Sequence, residues 1–246
     1  MMGDIYGYET IGIAKSKDEM DQHLASLPNG GQNALGTNWD AGDIMYKDLN
    51  GDGKIDNGGN KYDDMGDMKK IGNNTPRYLF GLDLNADYKG FDFRAFFQGV
   101  MKRDYWQGSA YFWGATSLWH STGFVEHADY FRAEASNDLP ANLNAYYPRP
   151  VFDSSKNRQK QTAYLQSAAY IRLKNVQLGY TLPANLTHKF YVSKLRVFVS
   201  GENLWTGTSL ANMFDPETIG GGDDTDKNGN AYPLSKTISF GISVTL

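Results

Sequence analysis

Long runs of alternating apolar and polar residues constrain the fold of this chain more than any other feature of its sequence. Between Arg77 and Tyr88 every second side chain is apolar, and the intervening positions are mostly polar. Lys89-Gly90 predicts a tight turn, after which residues 91–99 repeat the same period. Strands of soluble proteins usually span about five or six residues, so alternation over about ten residues or more favours the strands of a transmembrane barrel.

Three further segments with a period of two lie in the second half of the chain. They cover residues 175–182, 195–202 and 237–246, and the last eleven residues are predicted to form a membrane-spanning strand. The predicted fold class is therefore all-β. We expect the C-terminal strands of a large antiparallel transmembrane β-barrel, with long extracellular loops and a short helix near residues 17–27.

The connections between these strands alternate in length. Those at residues 89–90 and 183–193 are short, whereas those at 104–165 and 205–235 are long. Outer-membrane barrels have short periplasmic turns and long extracellular loops. Counting back from a periplasmic C-terminus, both long connections fall outside the cell, which is consistent with the barrel prediction.

The composition excludes several classes of function. A net charge of −4 over 246 residues leaves no basic footprint for nucleic acid, and the absence of cysteine excludes disulfides and thiolate metal sites. No stretch approaches the roughly 20 apolar residues of a membrane helix. The 16 tyrosines and the 14% aromatic content are typical of barrels, where Tyr and Trp lie at both membrane interfaces.

The first 76 residues differ from the rest of the chain. Ser16 and Glu19 form a capping-box pattern that predicts a helix over residues 17–27, ended by residues 28–31. Residues 43–47 predict a strand. We expect residues 1–76 to be mostly extracellular loop, and residues 77–246 to form barrel strands joined by the two long loops. The N-terminus has no signal-peptide pattern, so we expect the mature protein to begin upstream.

The sharpest local motif resembles the first part of an EF-hand calcium loop. Its candidate ligands stand at loop positions 1, 3, 5, 7 and 9, and they are Asp48, Asn50, Asp52, the carbonyl of Lys54, and Asp56. Position 12 is Gly59 instead of an acid, so the missing ligand must come from Asp63, Asp64 or Asp67. The alternative is a metal-free turn rich in Asx residues and glycine.

A second group of residues with alternating oxygen side chains lacks a downstream acid. A solvated loop tip is therefore favoured over a metal site. Its members are Asp224, Asp226 and Asn228.

The long loop 104–165 is rich in aromatic residues that can stack on sugar rings or on apolar peptide side chains. The candidate ligand-binding residues are Trp106, Trp113 and Trp119. The alternatives are packing of the loop on itself and an interface with a partner. His120 and His127 are interpreted as polar loop residues. No nucleophile elbow, phosphate-binding loop, zinc-protease or dinucleotide motif is present, so no enzyme activity is predicted.

The end of the chain resembles the signal that the barrel-assembly machinery reads on the last strand of outer-membrane proteins. Gly241, Val244 and Leu246 carry this pattern. An aromatic residue is often found where Leu246 stands.

Many short strings in order resemble one family, the SusC/RagA group of TonB-dependent outer-membrane transporters of Bacteroidota. The strings cover nearly the whole chain, and they include Gly7-Tyr8-Glu9-Thr10, Ala41-Gly42-Asp43-Ile44, Pro76-Arg77-Tyr78, Phe96-Phe97-Gln98-Gly99, residues 170–176 and 178–183, Gly201-Glu202-Asn203-Leu204-Trp205, Asp215-Pro216-Glu217 and Tyr232-Pro233-Leu234.

The resemblance implies an outer-membrane barrel of about 22 strands with a plugged lumen. It also implies a TonB box in a missing N-terminal region, energy supplied through TonB, a SusD-like surface lipoprotein as lid, and glycans or peptides as substrates. Outer-membrane lipid would surround the strands. Because five or six strands cannot close so wide a barrel, the chain is expected to be a C-terminal fragment of the transporter.

The rival interpretation is a soluble calcium-dependent carbohydrate-binding module. It requires the apolar residues of the long strands to be buried against a second sheet, whereas a transporter requires them to face lipid. The residues that distinguish the two are Phe80, Leu82, Phe93, Val197 and Phe240. A surface hydrolase would need a catalytic triad or carboxylate pair that the sequence does not offer.

Overall fold

A computed structural model describes residues 2–114, 116–117, 123–136, 138–220, 232 and 234–246. In chain order its strands are β1 (Asp4–Tyr8), β2 (Thr10–Ile13), β3 (Ile44–Tyr46), β4 (Met68–Asn73), β5 (Arg77–Tyr88), β6 (Phe91–Lys102), β7 (Asp104–Trp106), β8 (Leu165–Ser167), β9 (Tyr170–Thr181), β10 (Lys194–Thr208) and β11 (Thr237–Thr245). The α-helices are α1 (Lys17–Ala25), α2 (Ala110–Trp113) and α3 (Ala184–Thr187). Short 3-10 turns cover Val125–Ala128, Lys156–Arg158 and His188–Phe190.

The chain divides into two compact units. The loop unit comprises Met1–Thr75, Tyr105–Gln166 and Gly220–Asn230, and the sheet unit comprises Pro76–Asp104, Ser167–Ile219 and Ala231–Leu246. The division differs from the predicted split at residue 76, because the long connection 104–165 packs with the N-terminal residues. Local sequence patterns carry no information on such long-range packing.

The sheet unit is built on five antiparallel strands in the order β11-β10-β9-β6-β5. β5, β6 and β9 each have 12 residues, β10 has 15 and β11 has 9, so the predicted long strands are confirmed. Lys89 and Gly90 have φ angles of 45° and 89°. Two consecutive positive φ angles are the signature of the type I′ turn, whose twist matches that of the strands it joins.

Two strands are longer than the sequence predicts. β9 begins at Tyr170 and not near 175, and β10 continues to Thr208. Each predicted strand was cut short at a bulge. In the pairing of β9 with β6 the register shifts between Phe96 and Phe97, and in the pairing of β10 with β9 it shifts between Glu202 and Trp205. A bulge inserts an extra residue and shifts the alternation to the other phase, which hides the continuing strand from a period-two pattern.

The loop unit contains more strands than the sequence predicts. β1 pairs with β4 and β2 pairs with β3, so three strands, β1, β2 and β4, lie where only loop was expected. These strands are short, and β1 pairs with a segment about 60 residues away. Neither feature produces a local alternation. The predicted strand at 43–47 is confirmed as β3.

Helix α1 is confirmed, although it ends at Ala25 instead of residue 27. The Ser16 side chain accepts a hydrogen bond from the Glu19 backbone N–H at 3.1 Å. The Glu19 carboxylate reaches back to the Lys15 N–H at 2.6 Å, one residue before the capping residue. The two bonds satisfy donors at the helix start as a capping box does.

An aromatic core fills the loop unit. Its buried rings are Tyr8, Trp39, Tyr46, Tyr105, Trp106, Phe112, Phe131, Tyr147 and Tyr164. Five of these nine rings are tyrosines, so part of the high tyrosine content belongs to this core. The Tyr46 hydroxyl donates to the Lys156 carbonyl at 2.7 Å, and the Tyr164 hydroxyl donates to the Tyr146 carbonyl at 2.6 Å. Such bonds let a tyrosine be buried without losing its polar partner.

Candidate functional site

One face of the five-stranded sheet is apolar across all its strands. The strand register aligns Phe93 with Leu178, Leu178 with Val199, and Val199 with Phe240. The next row aligns Phe91, Tyr180, Val197 and Ile242 in the same way. Two consecutive rows of apolar side chains therefore run from β6 to β11 without a polar interruption.

The residues that distinguish the two interpretations are mostly exposed. Leu82 is 47% exposed, Phe93 40%, Val197 39% and Phe240 85%, whereas Phe80 is half-buried. A second sheet packed on this face would have buried these side chains. The exposure agrees with the transporter interpretation. The carbohydrate-binding module requires these side chains to be buried against a second sheet, and this face of the sheet does not meet that requirement.

The opposite face of the same sheet is polar and carries ion pairs between strands. Arg94 of β6 contacts Asp83 of β5 at 2.6 Å, and Arg196 of β10 contacts Asp92 of β6 through its Nε at 2.8 Å. Arg196 also donates to the Gln177 side chain at 3.2 Å. The sheet therefore separates an apolar surface from a charged one, as the outer and lumenal faces of a barrel do.

Aromatic residues lie near both ends of the apolar face. Phe91 and Tyr180 pack beside the Lys89-Gly90 turn, with ring centroids 4.6 Å apart. Trp205 lies eight residues along β10 from Val197, which is the partner of Tyr180, and it is 52% exposed. Bulges lie between these two rows, and along β6, which has no extra residue, Phe91 and Phe97 of the same rows are six residues apart. At about 3.3 Å per residue and a tilt of about 40°, the separation corresponds to roughly 15 Å of height. A separation of that size fits within the apolar band of about 25 Å found on outer-membrane barrels.

The predicted assembly signal lies on β11 and at the chain end. Val244 is 53% exposed and Leu246 is 89% exposed. Gly241 pairs with Phe198, whose ring lies over it: a Cβ atom at Gly241 would stand 2.1 Å from that ring. Aromatic cover of a strand glycine by its cross-strand neighbour stabilises the pairing, so Gly241 has a packing role within the sheet itself.

The calcium-like loop brings three carboxylates together. One carboxylate oxygen from each of Asp48, Asp52 and Asp67 lies within 4.8 Å of the others. The Asp48 carboxylate accepts hydrogen bonds from the N–H groups of Gly51 at 2.6 Å and Gly53 at 2.9 Å, which closes the loop. Of the three acids considered for the missing ligand, the structure brings Asp67 to the loop.

Asp67 is fully buried beneath the loop. Its two carboxylate oxygens accept from the N–H groups of Leu49 at 2.7 Å and Asp56 at 2.9 Å. Burial raises the pKa of Asp67 above its usual value, and the charge of Asp48 adds to this effect. Burial also opposes ionisation of Asp48, but the N–H donors of Gly53 and Gly51 outweigh it and lower the pKa of Asp48.

The other predicted ligands of this loop are engaged in different ways. Asp56 pairs with the Lys54 ammonium at 2.6 Å, and Asn50 donates to the Asp52 carboxylate at 3.1 Å. Asp64 accepts from the Gly59 N–H at 2.8 Å. The compact donor set is therefore Asp48, Asp52 and Asp67, with Asn50 beside it.

The aromatic loop residues divide between core and cavity wall. Trp106 is buried and its ring lies 5.8 Å from that of Trp113, as the alternative of the loop packing on itself requires. Trp113 lines a cavity of about 350 Å³. Trp119 and His120 lie outside the described residues, as do Asp224, Asp226 and Asn228 of the second acidic group.

His127 has the polar loop role that the sequence predicts. Its Nδ1 accepts from the Phe124 N–H at 2.9 Å, and its Nε2 lies 3.0 Å from the Phe112 carbonyl. Since Nδ1 is the acceptor, the proton sits on Nε2 and donates to that carbonyl. The ring closes the short turn at Val125–Ala128.

A buried charge cluster in the loop unit was not predicted. Asp43 and Lys156 are buried and 2.7 Å apart, and Asp43 also accepts from Arg149 at 2.7 Å and from Asn157 at 2.8 Å. Burial alone would raise the pKa of Asp43, but hydrogen bonds from these three residues outweigh it and keep the pKa below its usual value. The partners lie more than 100 residues apart in sequence, so no local pattern signals the cluster.

A second charge cluster in the sheet unit was also missed. Arg172 of β9 is buried and contacts Asp215 at 2.7 Å and Glu217 at 3.2 Å. Lys174 contacts Glu217 at 2.8 Å. These contacts fasten the segment Asp215-Pro216-Glu217 to the strand, which gives a physical reason for one of the strings that carry the family resemblance.

Within the described residues, no helix has the length and apolar character needed to cross a membrane. No family model matches the chain.

Three curated relatives match nearly its whole length. TonB-dependent receptor P3 of Formosa agariphila is 28% identical over 250 residues, which cover 99% of this chain and 22% of the relative. TonB-dependent receptors P26 and P39 of the same organism are 27% and 23% identical, over 97% and 99% of this chain. The chain therefore spans about a fifth to a quarter of the length of these relatives, which are 22%, 22% and 25% covered.

Solved structures show the same fold. The RagAB peptide transporter is 23% identical, with a TM-score of 0.61 over 98% of this chain and 22% of that chain. The RagAB peptide importer in its open-open state is 21% identical, with a TM-score of 0.59 over 99% of this chain and 22% of that chain. The similarity to the SusC/RagA group of TonB-dependent receptors that the sequence motifs indicate is thereby confirmed over nearly the whole of this chain.

Proposed function

We propose that this chain forms part of the barrel wall and of the extracellular loops of a TonB-dependent importer in the bacterial outer membrane. The observation that carries the proposal is the division of one sheet into an exposed apolar face and an ion-paired polar face. In water, rows of exposed Phe, Leu, Val and Ile would be unfavourable by about 25 cal/mol for each Å² of apolar surface. Lipid contact removes that penalty and leaves the polar face to a hydrated lumen.

We propose peptides as the imported substrate and a SusD-like surface lipoprotein as the partner. Support comes from the similar solved structures, which are those of a peptide importer, RagAB. Glycans are the other substrate class that the family resemblance implies. Energy from TonB, acting on a region outside this chain, and insertion by the barrel-assembly machinery complete the proposal. No catalytic role is proposed.

Cell fractionation tests the membrane proposal. The complete receptor gene, carrying an epitope tag, is expressed in its host, and the membranes are separated after lysis. We expect the receptor to sediment with the outer membrane and to require detergent for release. Recovery in the soluble periplasm without detergent would contradict the proposal. Uptake of a fluorescent peptide, compared with uptake of a fluorescent oligosaccharide, then tests the substrate class.

We also propose that the loop holding Asp48, Asp52 and Asp67 binds calcium. Three carboxylate oxygens within 4.8 Å of one another repel each other, and a divalent cation with hard oxygen ligands relieves that repulsion. The Asn50 side chain and the Lys54 carbonyl are further candidate ligands. Asp67 would take the place of the acid that an EF-hand carries at position 12.

Calcium titration of the purified, chelator-treated receptor tests this site. We expect Asp52→Ala and Asp67→Asn to weaken calcium binding at least tenfold, because each removes a charged ligand. Asp63→Asn is the matched control, since Asp63 is an exposed acid of the same segment that lies outside the carboxylate cluster. Equal affinity in all four proteins would remove the site.

A further inference from the structure

The cavity of about 350 Å³ in the loop unit has an apolar wall with a cationic side. Aromatic and aliphatic lining is provided by Trp113, Phe124, Tyr130, Tyr147 and Val151. Arg149, Lys156 and Arg158 also line it, and among the described lining residues there is no carboxylate. The volume lies at the lower end of the range found for small-ligand pockets, about 300–1,000 Å³, and suits one large side chain with its backbone ends.

Two of the three cations are already committed to Asp43. Lys156 donates to the Asp43 carboxylate and to the carbonyls of Thr37 and Asn38, which uses its three protons. Arg149 donates to both Asp43 oxygens. Lys156 therefore has no proton left for a second anion, and Arg149 is already paired through two of its nitrogens with Asp43.

Arg158 differs from them because it has no carboxylate partner among the described residues. Its Nε and Nη2 donate to the same acceptor, the Ser154 carbonyl, at 3.1 Å and 2.9 Å. Partial burial lowers the pKa of Arg158, and only the more distant charge of Asp153 opposes this. A half-buried guanidinium with one neutral acceptor gains from an anionic ligand, and its planar fork matches a carboxylate.

We propose that this cavity binds the carboxyl-terminal residue of a peptide, with Arg158 pairing with the α-carboxylate and the aromatic wall holding a large apolar side chain. This inference rests on the proposed function in taking peptides as the substrate class. Every peptide that ends in an apolar residue offers a free carboxylate next to an apolar side chain. Recognition of that kind would accept peptides of many internal sequences.

Isothermal titration calorimetry on the complete receptor in detergent tests the proposal. The probes are acetyl-Ala-Ala-Phe with a free carboxylate and the same peptide with a terminal amide. We expect the acid to bind at least tenfold more tightly than the amide, since only the acid forms a charged pair with Arg158. Arg158→Gln should weaken binding of the acid at least tenfold and leave binding of the amide within about twofold.

Two further variants distinguish a specific ion pair between Arg158 and the peptide carboxylate from a general effect of charge on binding. Arg158→Lys keeps the positive charge and should restore part of the affinity for the acid. Lys61→Gln removes an exposed charge of the same unit outside the cavity and should change neither affinity. Unchanged binding of the amide by Arg158→Gln would show that the cavity is still folded.

The proposal is overturned if the wild-type receptor binds acid and amide equally, if it binds neither, or if Arg158→Gln weakens both alike. Failure here is distinct from failure of the proposed function. A receptor that sediments with the outer membrane but has no preference for the acid loses only this inference. A receptor recovered from the soluble periplasm loses the proposed function, whatever it binds.

Discussion

The loop unit and the sheet unit place the same kinds of residue in opposite ways. In the loop unit aromatic rings such as Tyr46 and Phe112 are buried, and the Asp43–Lys156 ion pair is buried with them. In the sheet unit apolar side chains such as Phe240 point outward, and the Asp83–Arg94 pair is exposed. The loop unit is thus organised around a buried core, whereas the sheet unit exposes the apolar side chains of one face.

This difference shows that an alternating pattern of apolar residues predicts a strand but does not reveal whether its apolar face meets protein, water or lipid. A strand with a period of two has one apolar face in a soluble sandwich and in a membrane barrel alike. Strand length and the exposure of the apolar face distinguish the two cases. The following experiments test the contrast between the units, beginning with the largest expected effect.

Breaking the buried ion pair of the loop unit should have the largest effect. Asp43→Asn leaves the buried Lys156 ammonium without its counter-charge, and losing one partner of a buried pair costs about 3–5 kcal/mol. We expect a large fall in the urea midpoint for trypsin cleavage within the loop unit of the complete receptor. Arg94→Gln, which breaks an exposed pair of the sheet unit, is the matched comparison and should change stability much less. Similar effects of the two variants would contradict the contrast.

A charge placed on the apolar face of the sheet should have the next largest effect. Val199 and Ser200 are neighbours on β10, and their side chains point to opposite faces. We expect Val199→Arg to destabilise the folded receptor in lipid bilayers by about 1–2 kcal/mol. Val199 lies two residues from the row of Tyr180 at one end of the apolar face, and the cost of a cation at the lipid face of a barrel falls from about 2–4 kcal/mol at the midplane to about 0–1 kcal/mol near the interfaces. Ser200→Arg lies on the polar face and should cost far less. Urea titration of refolding into phospholipid vesicles measures both, and equal costs would argue against lipid contact.

Acid should weaken the loop unit through Asp43. Because the folded-state pKa of Asp43 is below 3.8, its pairing stabilises the unit fully above that pH and is lost as the pH falls through the folded pKa. The loss is at most about 1.4 kcal/mol for each pH unit. The difference in stability between wild type and Asp43→Asn, measured by the same cleavage assay, should therefore shrink below about pH 4. A constant difference between pH 6 and pH 3 would show that Asp43 does not titrate in this way.

The sequence predicts the two units unequally well. β5 and β6 follow from alternation because each side chain's face depends only on its position along the strand. The pairing of β1 with β4, the partners of Asp43, and the approach of Asp67 to Asp48 depend on residues far apart in sequence, and no local pattern encodes them. The calcium-like motif marks the loop in which Asp48 and Asp52 meet Asp67, but it left the acid that joins them open among three candidates. The bulge at Glu202 shows that even a long strand is lost when its alternation changes phase.

Glycine substitutions should give the smallest effects and still separate the units. Gly51 in the loop unit has φ +76°, and the space that an added Cβ atom would occupy is open, so Gly51→Ala should cost only about 1 kcal/mol for the left-handed backbone. Gly90 in the β5–β6 turn has φ +89°, and an added Cβ would also stand 2.8 Å from the Thr181 carbonyl of β9. Gly90→Ala should therefore cost more than Gly51→Ala, because the turn must shift against a neighbouring strand. The cleavage assay measures the first variant and vesicle refolding measures the second. A smaller cost at Gly90 would mean that the turn is not held against β9 in the folded barrel.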